Sequence, residues 1–434
     1  MEDINELQAE LLALQKDYTA LFETKTLSLM IGEMILQSRH SPKKLLTLPV
    51  RLKKLKESFK KGEIKPIGIT QVKRLEDAAN LKKNAVLFMA TNGVGLGHLT
   101  RCLSVARKLK KTLGSKNIVF LTTCPALHLI WNEGFIPFYV PSKEMFKKDI
   151  TGGQWDVLLT EAFENMFCLY DFDLIVFDGA IPYDSLASAM EKNTYATKIW
   201  IRRGSAKKDS EEKRKSREVY FDHIIIPAEA GDVLAEDTGK IIHVDPIVYL
   251  DPSEQLERTE VRKFFGARDD QRLVYVQLGA GKINDTENVL DTVIELLLEN
   301  PCNLIVLGQS PLGDNLSYID DRIVLLKDYP NAKYFRGFDL AVSATGYNSF
   351  HELLSSNLPT VYLPNTSTGA DDQVARALRS EQYGMGIVVT EPTRDNIKNA
   401  ITKLMEQPLT NTQLEFKGAQ QASDRILEIY NKNR

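Results

Sequence analysis

Short runs of consecutive apolar residues, each followed by an amphipathic stretch of helix length, dominate the chain from about residue 85 onwards. The first series ends near residue 244 and reads AVLFMA, NIVFLTT, FIPFYV, DLIVFDG, TKIWIRR, DHIIIPA and KIIHVD. Runs without alternation of apolar and polar residues are typical of parallel strands that are buried on both faces of a sheet. The repeated order of strand and helix predicts a doubly wound α/β domain over residues 81–246.

A second series follows the segment DPIVYLDPSEQ, residues 245–255, whose two prolines indicate a hinge. It reads RLVYVQLGAG, CNLIVLGQ, RIVLLKD, FDLAVSATG, PTVYLP and GIVVT. These runs predict a second Rossmann-like domain over residues 247–434. The predicted fold class is therefore α/β, with two doubly wound domains facing a cleft. Open parallel sheets bind ligands beyond the carboxyl ends of their strands, so the cleft is where a ligand is expected.

The first 80 residues have a different pattern, which predicts a helical extension. Spacings of three and four alternate along Ile4, Leu7, Leu11, Leu14, Tyr18 and Leu21. This seam predicts a short coiled coil, and with it a homodimer, or else an amphipathic helix on the protein's own body. Residues 38–65 then carry ten Lys or Arg against two Glu, with leucines between them. We expect residues 39–65 to contact an anionic membrane surface, the alternative being a solvated helix face.

Composition narrows the class of protein. With 434 residues, of which 43% are hydrophobic and 26% charged, the chain has the make-up of a globular protein of two domains. A net charge of −3 disfavours nucleic acid as a partner. The four scattered cysteines lack the spacing of a zinc site or a disulfide framework. Because neither a signal peptide nor a membrane-spanning apolar run is recognisable, we expect a cytoplasmic protein, peripheral on the inner face of the cytoplasmic membrane.

The first candidate site is the turn after the first strand, ATNGVGLGHLTR, residues 90–101. Its glycines allow positive φ and a close approach of the backbone to a ligand, and the following helix directs its first N–H groups at that ligand. The predicted phosphate or acceptor loop consists of Asn92, Gly93, Gly95, Gly97 and Arg101. The turn lacks the G-K-[ST] of a P-loop, and no acidic residue ends the second strand, which disfavours a dinucleotide fingerprint.

Two residues are candidates for the catalytic machinery. His98 stands at the mouth of the helix, and we expect it to act as general base, because the pKa of a histidine lies near neutral pH; a structural cap is the alternative. Asp178 ends the strand of VFDG and is expected to orient His98 or an acceptor, with a simple N-cap as the alternative. Arg202 and Arg203 end another strand; either could reach a phosphate, but we expect a surface pair.

The second candidate site lies in FDLAVSATGYNSFHELLSSNLPTVYLPNTSTGADDQVARA, residues 338–377. A strand, a turn of small residues and a helix place Gly346 and the first N–H groups of the helix where they can hold a diphosphate. Glu352 can accept both hydroxyls of a ribose, and Gln373 offers a donor and an acceptor to sugar hydroxyls. The glycines of LGAGKIND are expected beside the diphosphate, or else form a plain turn, and Gly308 is expected near the base.

This stretch resembles the donor-binding half of GT-B glycosyltransferases, above all family 28 and its lipid II N-acetylglucosaminyl transferase-like members. The family pattern of Ser–x–x–Gly–x–x–Thr/Ser–x–x–Glu, a Pro-bounded strand and an Asp-Gln pair is matched by Ser343, Gly346, Ser349, Glu352, Pro359, Pro364, Asp372 and Gln373. Arg376 stands where the family has asparagine. The loop NGVGLGHLTR likewise resembles the first-domain loop of the family.

The resemblance implies a role for each matched residue. Glu352 would bind the ribose, Gln373 the donor sugar, and Gly346 with Ser349 the diphosphate. The predicted donor-binding set is Gly279, Gly281, Gly308, Ser343, Gly346, Tyr347, Asn348, Ser349, Glu352, Asp372 and Gln373.

The resemblance also implies an activity. It is that of an inverting glycosyltransferase which needs neither a metal nor another cofactor. The enzyme would move a sugar, expected to be an N-acetylhexosamine, from a UDP-sugar to a lipid-linked or cell-envelope polysaccharide acceptor. Two alternatives stay open. One is a UDP-sugar hydrolase, since the loop is also similar to that of the hydrolase of pseudaminic acid synthesis. The other is a non-catalytic GT-B scaffold that assembles through the N-terminal coil.

Overall fold

The structure is a computed structural model of the chain. It describes residues 31, 34, 42–60, 85–91, 95–113, 118–146, 149–167, 169–192, 195–203, 208–279, 286–309, 318, 320–366, 371–406 and 414–432. Within these residues the chain forms two parallel β-sheets that are covered by helices.

The first sheet has seven parallel strands in the described part of the chain. They are β1 (Ala85–Ala90), β2 (Ile118–Thr122), β3 (Ile136–Tyr139), β4 (Phe172–Asp178), β5 (Thr197–Ile201), β6 (His223–Pro227) and β7 (Ile241–Val244). Their order is β3-β2-β1-β4-β5-β6-β7, so β1 and β4 are neighbours and Ala90 is paired with Asp178. Strands β1, β2 and β5 are buried along their whole length, as their continuous apolar sequence requires.

The second sheet has six parallel strands in the same described part. They are β8 (Arg272–Gln277), β9 (Asn303–Gly308), β10 (Ile323–Leu326), β11 (Leu340–Ser343), β12 (Thr360–Tyr362) and β13 (Gly386–Val388). In the order β10-β9-β8-β11-β12-β13 the direction of winding reverses between β8 and β11. Every apolar run identified in the sequence forms a strand, and the predicted fold of two doubly wound α/β units is confirmed.

The helices lie between and around these strands. They are α1 (Pro42–Lys60), α2 (Gly97–Leu113), α3 (Leu127–Asn132), α4 (Gly152–Met166), α5 (Asp184–Lys192), α6 (Lys208–Arg217), α7 (Arg258–Phe265), α8 (Thr286–Leu298), α9 (Tyr347–Ser355), α10 (Gln373–Gln382), α11 (Arg394–Glu406) and α12 (Gly418–Lys432). Helix α2 begins directly after the glycine turn. It buries Leu99, Leu103 and Ala106 against Phe88 of β1, which fixes the direction in which the helix leaves the turn.

The segment between the two sheets is packed rather than exposed. Ile247 and Tyr249 belong to one cluster of buried apolar residues that also contains residues of both sheets. Arg107 of α2 donates to the Tyr249 carbonyl at 2.8 Å and to Glu254 at 2.6 Å, and its guanidinium carbon lies 4.7 Å from the centroid of the Tyr249 ring. The predicted hinge is therefore fastened to the first domain by Arg107, and Lys108 of the same helix pairs with Asp251.

The last described helix returns to the first sheet. Helix α12 packs against α2 and β7, and the Tyr430 hydroxyl donates to Asp173 at 2.9 Å. Gly418 begins this helix next to the linker, where a Cβ would lie 2.0 Å from the carbonyl oxygen of Asp245. The division into residues 81–246 and 247–434 stays a prediction, and α12 contacts the first domain although it follows the second.

Helix α1 is the described part of the N-terminal extension. It covers most of the basic segment 39–65, whereas the coiled-coil seam from Ile4 to Leu21 lies outside the described residues. None of the helices described is both long enough and apolar enough to cross a membrane.

Candidate active site

The predicted site residues lie at the carboxyl edges of the two sheets. In each sheet they lie at the point where the direction of winding reverses. In the first sheet, β1 is followed by the glycine turn with His98, and its neighbour β4 ends at Asp178. In the second sheet, β8 is followed by Gly279, and its neighbour β11 is followed by Gly346. Doubly wound sheets bind ligands at such points, because the loops on either side diverge there and leave a crevice.

His98 and Asp178 are in direct contact. His98 is the second residue of α2, and its Nδ1 lies 2.6 Å from Oδ1 of Asp178. The Asp178 side chain is fully buried, whereas the His98 side chain is 20% exposed. The start of α2 thus places the histidine at the end of the adjacent strand β4. The two residues predicted for catalysis lie together, and their catalytic role stays a prediction.

Arg101 joins this pair from one turn further along α2. Its Nε donates to Oδ2 of Asp178 at 2.9 Å, and its Nη2 donates to Oδ1 at 2.5 Å. The residue is only 2% exposed, and its guanidinium carbon lies 5.5 Å from the centroid of the Tyr347 ring. Arg101 was predicted to contact a phosphate or an acceptor. In the structure its guanidinium is enclosed instead, because the buried carboxylate of Asp178 takes it as counterion.

The surroundings of His98 favour its neutral form. Burial lowers the pKa of His98, and the attraction of the Asp178 carboxylate offsets only part of that effect. Burial by itself would raise the pKa of Asp178, but the charges of Arg101 and His98 outweigh it, so the pKa is lowered overall. An ionised carboxylate only accepts hydrogen bonds. The single proton of His98 therefore belongs on Nδ1, and Nε2 keeps a lone pair that can take a proton.

Glycines at both edges leave room for a ligand. Gly346 is the N-cap of α9, and no atom lies within 4 Å of the position that a Cβ would take. The first N–H groups of α9 have no acceptor within the helix and can serve an anion. Gly279 has φ of +97° and is exposed, and Gly95, in the first domain, has φ of +86°. At both glycines, as at Gly97, the Cβ position is open.

Tyr347 and Asn348 face the first domain. The Tyr347 hydroxyl donates to the carbonyl of Ala228 at 2.9 Å and accepts from the N–H of Ile247 at 3.3 Å. The Asn348 amide donates to the carbonyl of Gly97 at 3.3 Å. Both were predicted to bind the donor. Their side chains instead fasten the start of α9 to the first domain, so the predicted donor contact would fall to their backbone N–H groups.

Glu352 lies half-buried near the linker. Its pKa rises to about 7 because burial disfavours the charged carboxylate, although a hydrogen bond from the backbone N–H of Tyr249 favours it. Most glutamates titrate near 4. A carboxyl group accepts two ribose hydroxyls best in its ionised form, because protonation makes one of its oxygens a donor. The predicted ribose contact would therefore depend on pH.

Packing accounts for two other residues of the predicted donor set. Ser343 is 1% exposed, and its hydroxyl donates to the carbonyl of Ala344 at 2.9 Å. Gly308 is buried at the end of β9, where a Cβ would lie 2.4 Å from the hydroxyl oxygen of Tyr275. Ser349 of α9 is half-buried and more accessible than either. Among these three, Ser349 is the one whose side chain is best placed for a ligand.

Gln373 is oriented by its neighbours. Its side-chain oxygen accepts from the N–H of Asn365 at 3.0 Å and from the hydroxyl of Thr345 at 3.3 Å. Asp372 caps α10 by accepting from the N–H of Ala375 at 3.0 Å. Because the oxygen of Gln373 is used in this way, its NH₂ group is what remains for a sugar hydroxyl or a phosphate oxygen.

A charged network joins the domains beside these residues. Arg376 pairs with Glu229, its Nη2 lying 2.7 Å from Oε1, and with Asp371, whose Oδ1 lies 2.8 Å from Nη2. Arg203 donates to the same Asp371 oxygen at 2.9 Å from the first domain. None of these partners was foreseen, although the arginine at position 376 was visible as a departure from the family pattern. Because a buried arginine requires an acidic partner, the arginine at position 376 was the signal that could have indicated an ion pair.

The two arginines after β5 differ from the expected surface pair. Arg202 is 6% exposed, lies 3.3 Å from Glu218 and has its guanidinium carbon 5.8 Å from the Trp200 ring centroid. Arg203 reaches across to Asp371, as described above. Neither is a free surface cation, because each is paired with a carboxylate.

Three predicted site residues lie outside the described residues, namely Asn92, Gly93 and Gly281. Over the described ranges, no group of three or more His, Cys, Asp and Glu side chains is arranged to hold a metal ion.

Comparison with known proteins finds a family match for one part of the chain, residues 324–428. The model of the glycosyltransferase family 28 C-terminal domain matches residues 324–428, which include Gly346, Glu352, Gln373 and Arg376. Curated proteins give no match to this sequence.

Solved structures show the same fold at low sequence identity. CalG4, the calicheamicin glycosyltransferase, has 14% identity and a TM-score of 0.56, over 80% of this chain and 98% of its own. The spinosyn rhamnosyltransferase SpnG, in complex with thymidine diphosphate, has 14% identity and a TM-score of 0.53, over 79% and 96%. The UDP-GlcNAc 2-epimerase from Methanocaldococcus jannaschii has 14% identity and a TM-score of 0.51, over 81% of this chain and 99% of its own. Residues 324–428 thus match the C-terminal domain of glycosyltransferase family 28, and the chain has the GT-B fold.

Proposed function

We propose that this protein transfers a sugar from a UDP-sugar to an acceptor hydroxyl with inversion at the anomeric carbon, and that it needs no metal. The observation that carries the proposal is the contact of His98 with Asp178 at the carboxyl edge of the first sheet. Asn348 of the donor helix α9 reaches the carbonyl of Gly97, the residue before His98. The base and the donor helix are therefore neighbours in the cleft.

The chemistry follows from the protonation state of the pair. Nε2 of His98 takes the proton of the acceptor hydroxyl, whose oxygen attacks the anomeric carbon from the side opposite to the diphosphate. The bond between the anomeric carbon and the diphosphate oxygen breaks, and its electron pair leaves with the nucleotide. His98 becomes an imidazolium that donates from Nδ1 to Asp178. The buried carboxylate stabilises that cation, as in other oriented histidine bases.

The second domain would bind the donor through the residues matched to the family. The diphosphate would lie at the start of α9, where Gly346 leaves the backbone accessible. The helix terminus and its N–H groups stabilise the negative charge that develops on the leaving diphosphate. This electrostatic contribution is the physical reason for proposing metal independence. Glu352 would accept the ribose hydroxyls, and the NH₂ group of Gln373 would donate to the sugar.

The acceptor is proposed to be a lipid-linked or cell-envelope glycan. The support is helix α1, on which Lys53, Lys54 and Lys56 are exposed and Val50 is 60% exposed. Basic residues next to apolar ones bind anionic bilayers, which would hold the enzyme on the inner face of the membrane where lipid-linked substrates lie. A homodimer through residues 4–21 is part of the same proposal.

A UDP-sugar hydrolase is the second candidate, because the same histidine could deprotonate a water molecule. The test is incubation with UDP-N-acetylhexosamines with and without a lipid extract, analysing glycolipid, free sugar and UDP. Glycolipid formation that depends on the extract supports transfer. Free sugar without extract supports hydrolysis, and no UDP release under either condition contradicts both. His98→Ala should lower turnover by about 10²–10⁴-fold while retaining affinity for UDP.

A further inference from the structure

Arg101 has partners in both domains. In the first domain, its guanidinium holds Asp178 by hydrogen bonds of 2.9 and 2.5 Å, and its Nη2 lies 3.0 Å from Nδ1 of His98. From the second domain, the centroid of the Tyr347 ring lies 5.5 Å from the guanidinium carbon. A cation at this distance over an aromatic ring is attracted by the ring's quadrupole. Arg101 thus connects His98 and Asp178, the proposed catalytic pair, to Tyr347, the first residue of the donor helix α9.

Tyr347 is held firmly in this position. Its hydroxyl is bonded to the carbonyl of Ala228 and to the N–H of Ile247, and the residue is only 5% exposed. The guanidinium carbon of Arg376 also lies 5.5 Å from the centroid of the same ring. The ring is therefore fixed by the first domain, the linker and the charged network. It can in turn restrict where the Arg101 side chain lies.

We propose that Arg101 is a positioning residue: it supplies the counterion of Asp178, so that His98 stays unprotonated on Nε2, and Tyr347 keeps Arg101 in that place from the second domain. The proposal rests on the proposed function, since His98 is taken as the base. It gives Arg101 a role that does not involve contact with the substrate.

The physical reason is the charge balance around a buried carboxylate. Asp178 is fully buried, and a buried charge is strongly destabilised unless an opposite charge compensates it. With Arg101 present, the charge of Asp178 is compensated. His98 can then stay neutral and only donates its Nδ1–H to the carboxylate. Without Arg101, His98 would hold a second proton as the counterion, and Nε2 could not act as a base. Arg203 is the other cation that acts on His98, while the thiol of Cys102 stays protonated because burial raises its pKa.

An NMR titration of the histidines in the substrate-free protein tests the proposal, with His98 assigned by means of His98→Gln. Arg101→Gln should raise the pKa of His98 by about one unit, the low end of the effect of a neighbouring charge. In the transferase assay, the acidic limb of the pH profile of kcat/KM should move upward by the same amount. Arg101→Lys keeps the charge and should shift both quantities less.

Tyr347 supplies a second test should Arg101→Gln fail to fold. Tyr347→Leu removes the ring and should raise the pKa of His98, whereas Tyr347→Phe keeps the ring but loses the hydroxyl that holds it, and should raise that pKa less. An unaltered titration of His98 in both Tyr347→Leu and any foldable Arg101 variant would overturn the proposal. Because the titration requires no substrate, it also separates the two ideas. A raised pKa of His98 without any change in the pH profile would contradict the role of His98 as base and leave that of Arg101 standing.

Discussion

Arg376 of α10 and Glu229, which follows β6, form an ion pair with two hydrogen bonds between the domains. Nε donates to Oε2 at 2.9 Å and Nη2 donates to Oε1 at 2.7 Å, and the two residues are 2% and 8% exposed. The family resemblance places asparagine at the position of the arginine. An asparagine carries no positive charge for Glu229. The departure from the family pattern is therefore matched by an acidic residue in the other domain.

Arg376→Asn should lower the free energy of unfolding by about 3–5 kcal/mol, because it leaves Glu229 buried without its cation. Urea titration followed by circular dichroism would measure the loss. Adding Glu229→Gln to this variant should restore part of the stability, since no charge is then buried. Arg425→Gln is the matched control. It removes an exposed ion pair with Asp237 and should cost less than about 1 kcal/mol. Similar losses in the two single variants would contradict a special role for the buried pair.

Arg203 holds Asp371, which lies close to Gln373, the residue that we propose to bind the donor sugar. It pairs with Asp371, two residues before Gln373, across the cleft. Arg203→Gln should therefore raise the KM for the UDP-sugar several-fold, about 1 kcal/mol of binding, and should change kcat less. Initial rates at varied donor concentration would show this. Arg203→Lys, which keeps the charge, should recover part of the affinity. A loss confined to kcat would instead place Arg203 at the reacting atoms.

Local sequence patterns were sufficient to predict the strands and one contact of the site, the contact between His98 and Asp178. Continuous apolar runs mark strands that are buried on both faces, so each strand was visible without its neighbours. His98 and Asp178 could be brought together because both follow the carboxyl ends of strands of one sheet. The partners of Arg376 and Arg101 could not be predicted in this way. Glu229 lies 147 positions from Arg376 and in the other domain, and the sequence does not show whether Arg101 turns towards a ligand or towards Asp178, so these contacts depend on packing that a local pattern does not contain.

Glu352 should make the stability depend on pH. Its pKa in the folded protein is about 7, above the ordinary 4.5, because burial disfavours the charge. The folded state therefore keeps a proton that the unfolded state has lost, and the free energy of unfolding falls as pH rises between these two values. Glu352→Gln imitates the protonated form. At pH 8 the variant should be more stable than the unsubstituted protein by roughly 2–3 kcal/mol, and at pH 4.5 nearly equal. Thermal unfolding at both pH values measures this; a difference independent of pH would contradict it.

The exposed lysines of α1 should draw the enzyme onto anionic vesicles. Lys53, Lys54 and Lys56 are exposed on this helix, and Val50 is 60% exposed beside them. Each basic residue near an anionic surface contributes about 1 kcal/mol. Replacing the three lysines by glutamine should therefore weaken binding to phosphatidylserine-containing vesicles by about 100-fold. Co-sedimentation of the full chain and the triple variant would measure the change.

The salt dependence of vesicle binding tests whether the binding is electrostatic. A control variant tests whether it depends on the lysines of α1. Attraction between exposed charges is screened over about 8 Å at physiological ionic strength and over about 3 Å at 1 M. Binding of the unsubstituted protein should therefore fall steeply as salt rises, leaving only the part due to apolar residues such as Val50. Replacing Lys263, Lys403 and Lys432, which are exposed elsewhere, removes the same net charge and should change binding far less. If the two triple variants pelleted alike, the binding would follow net charge alone. If the unsubstituted protein did not pellet even at low salt, the basic face of α1 would be merely solvated, and the proposed membrane attachment would be wrong.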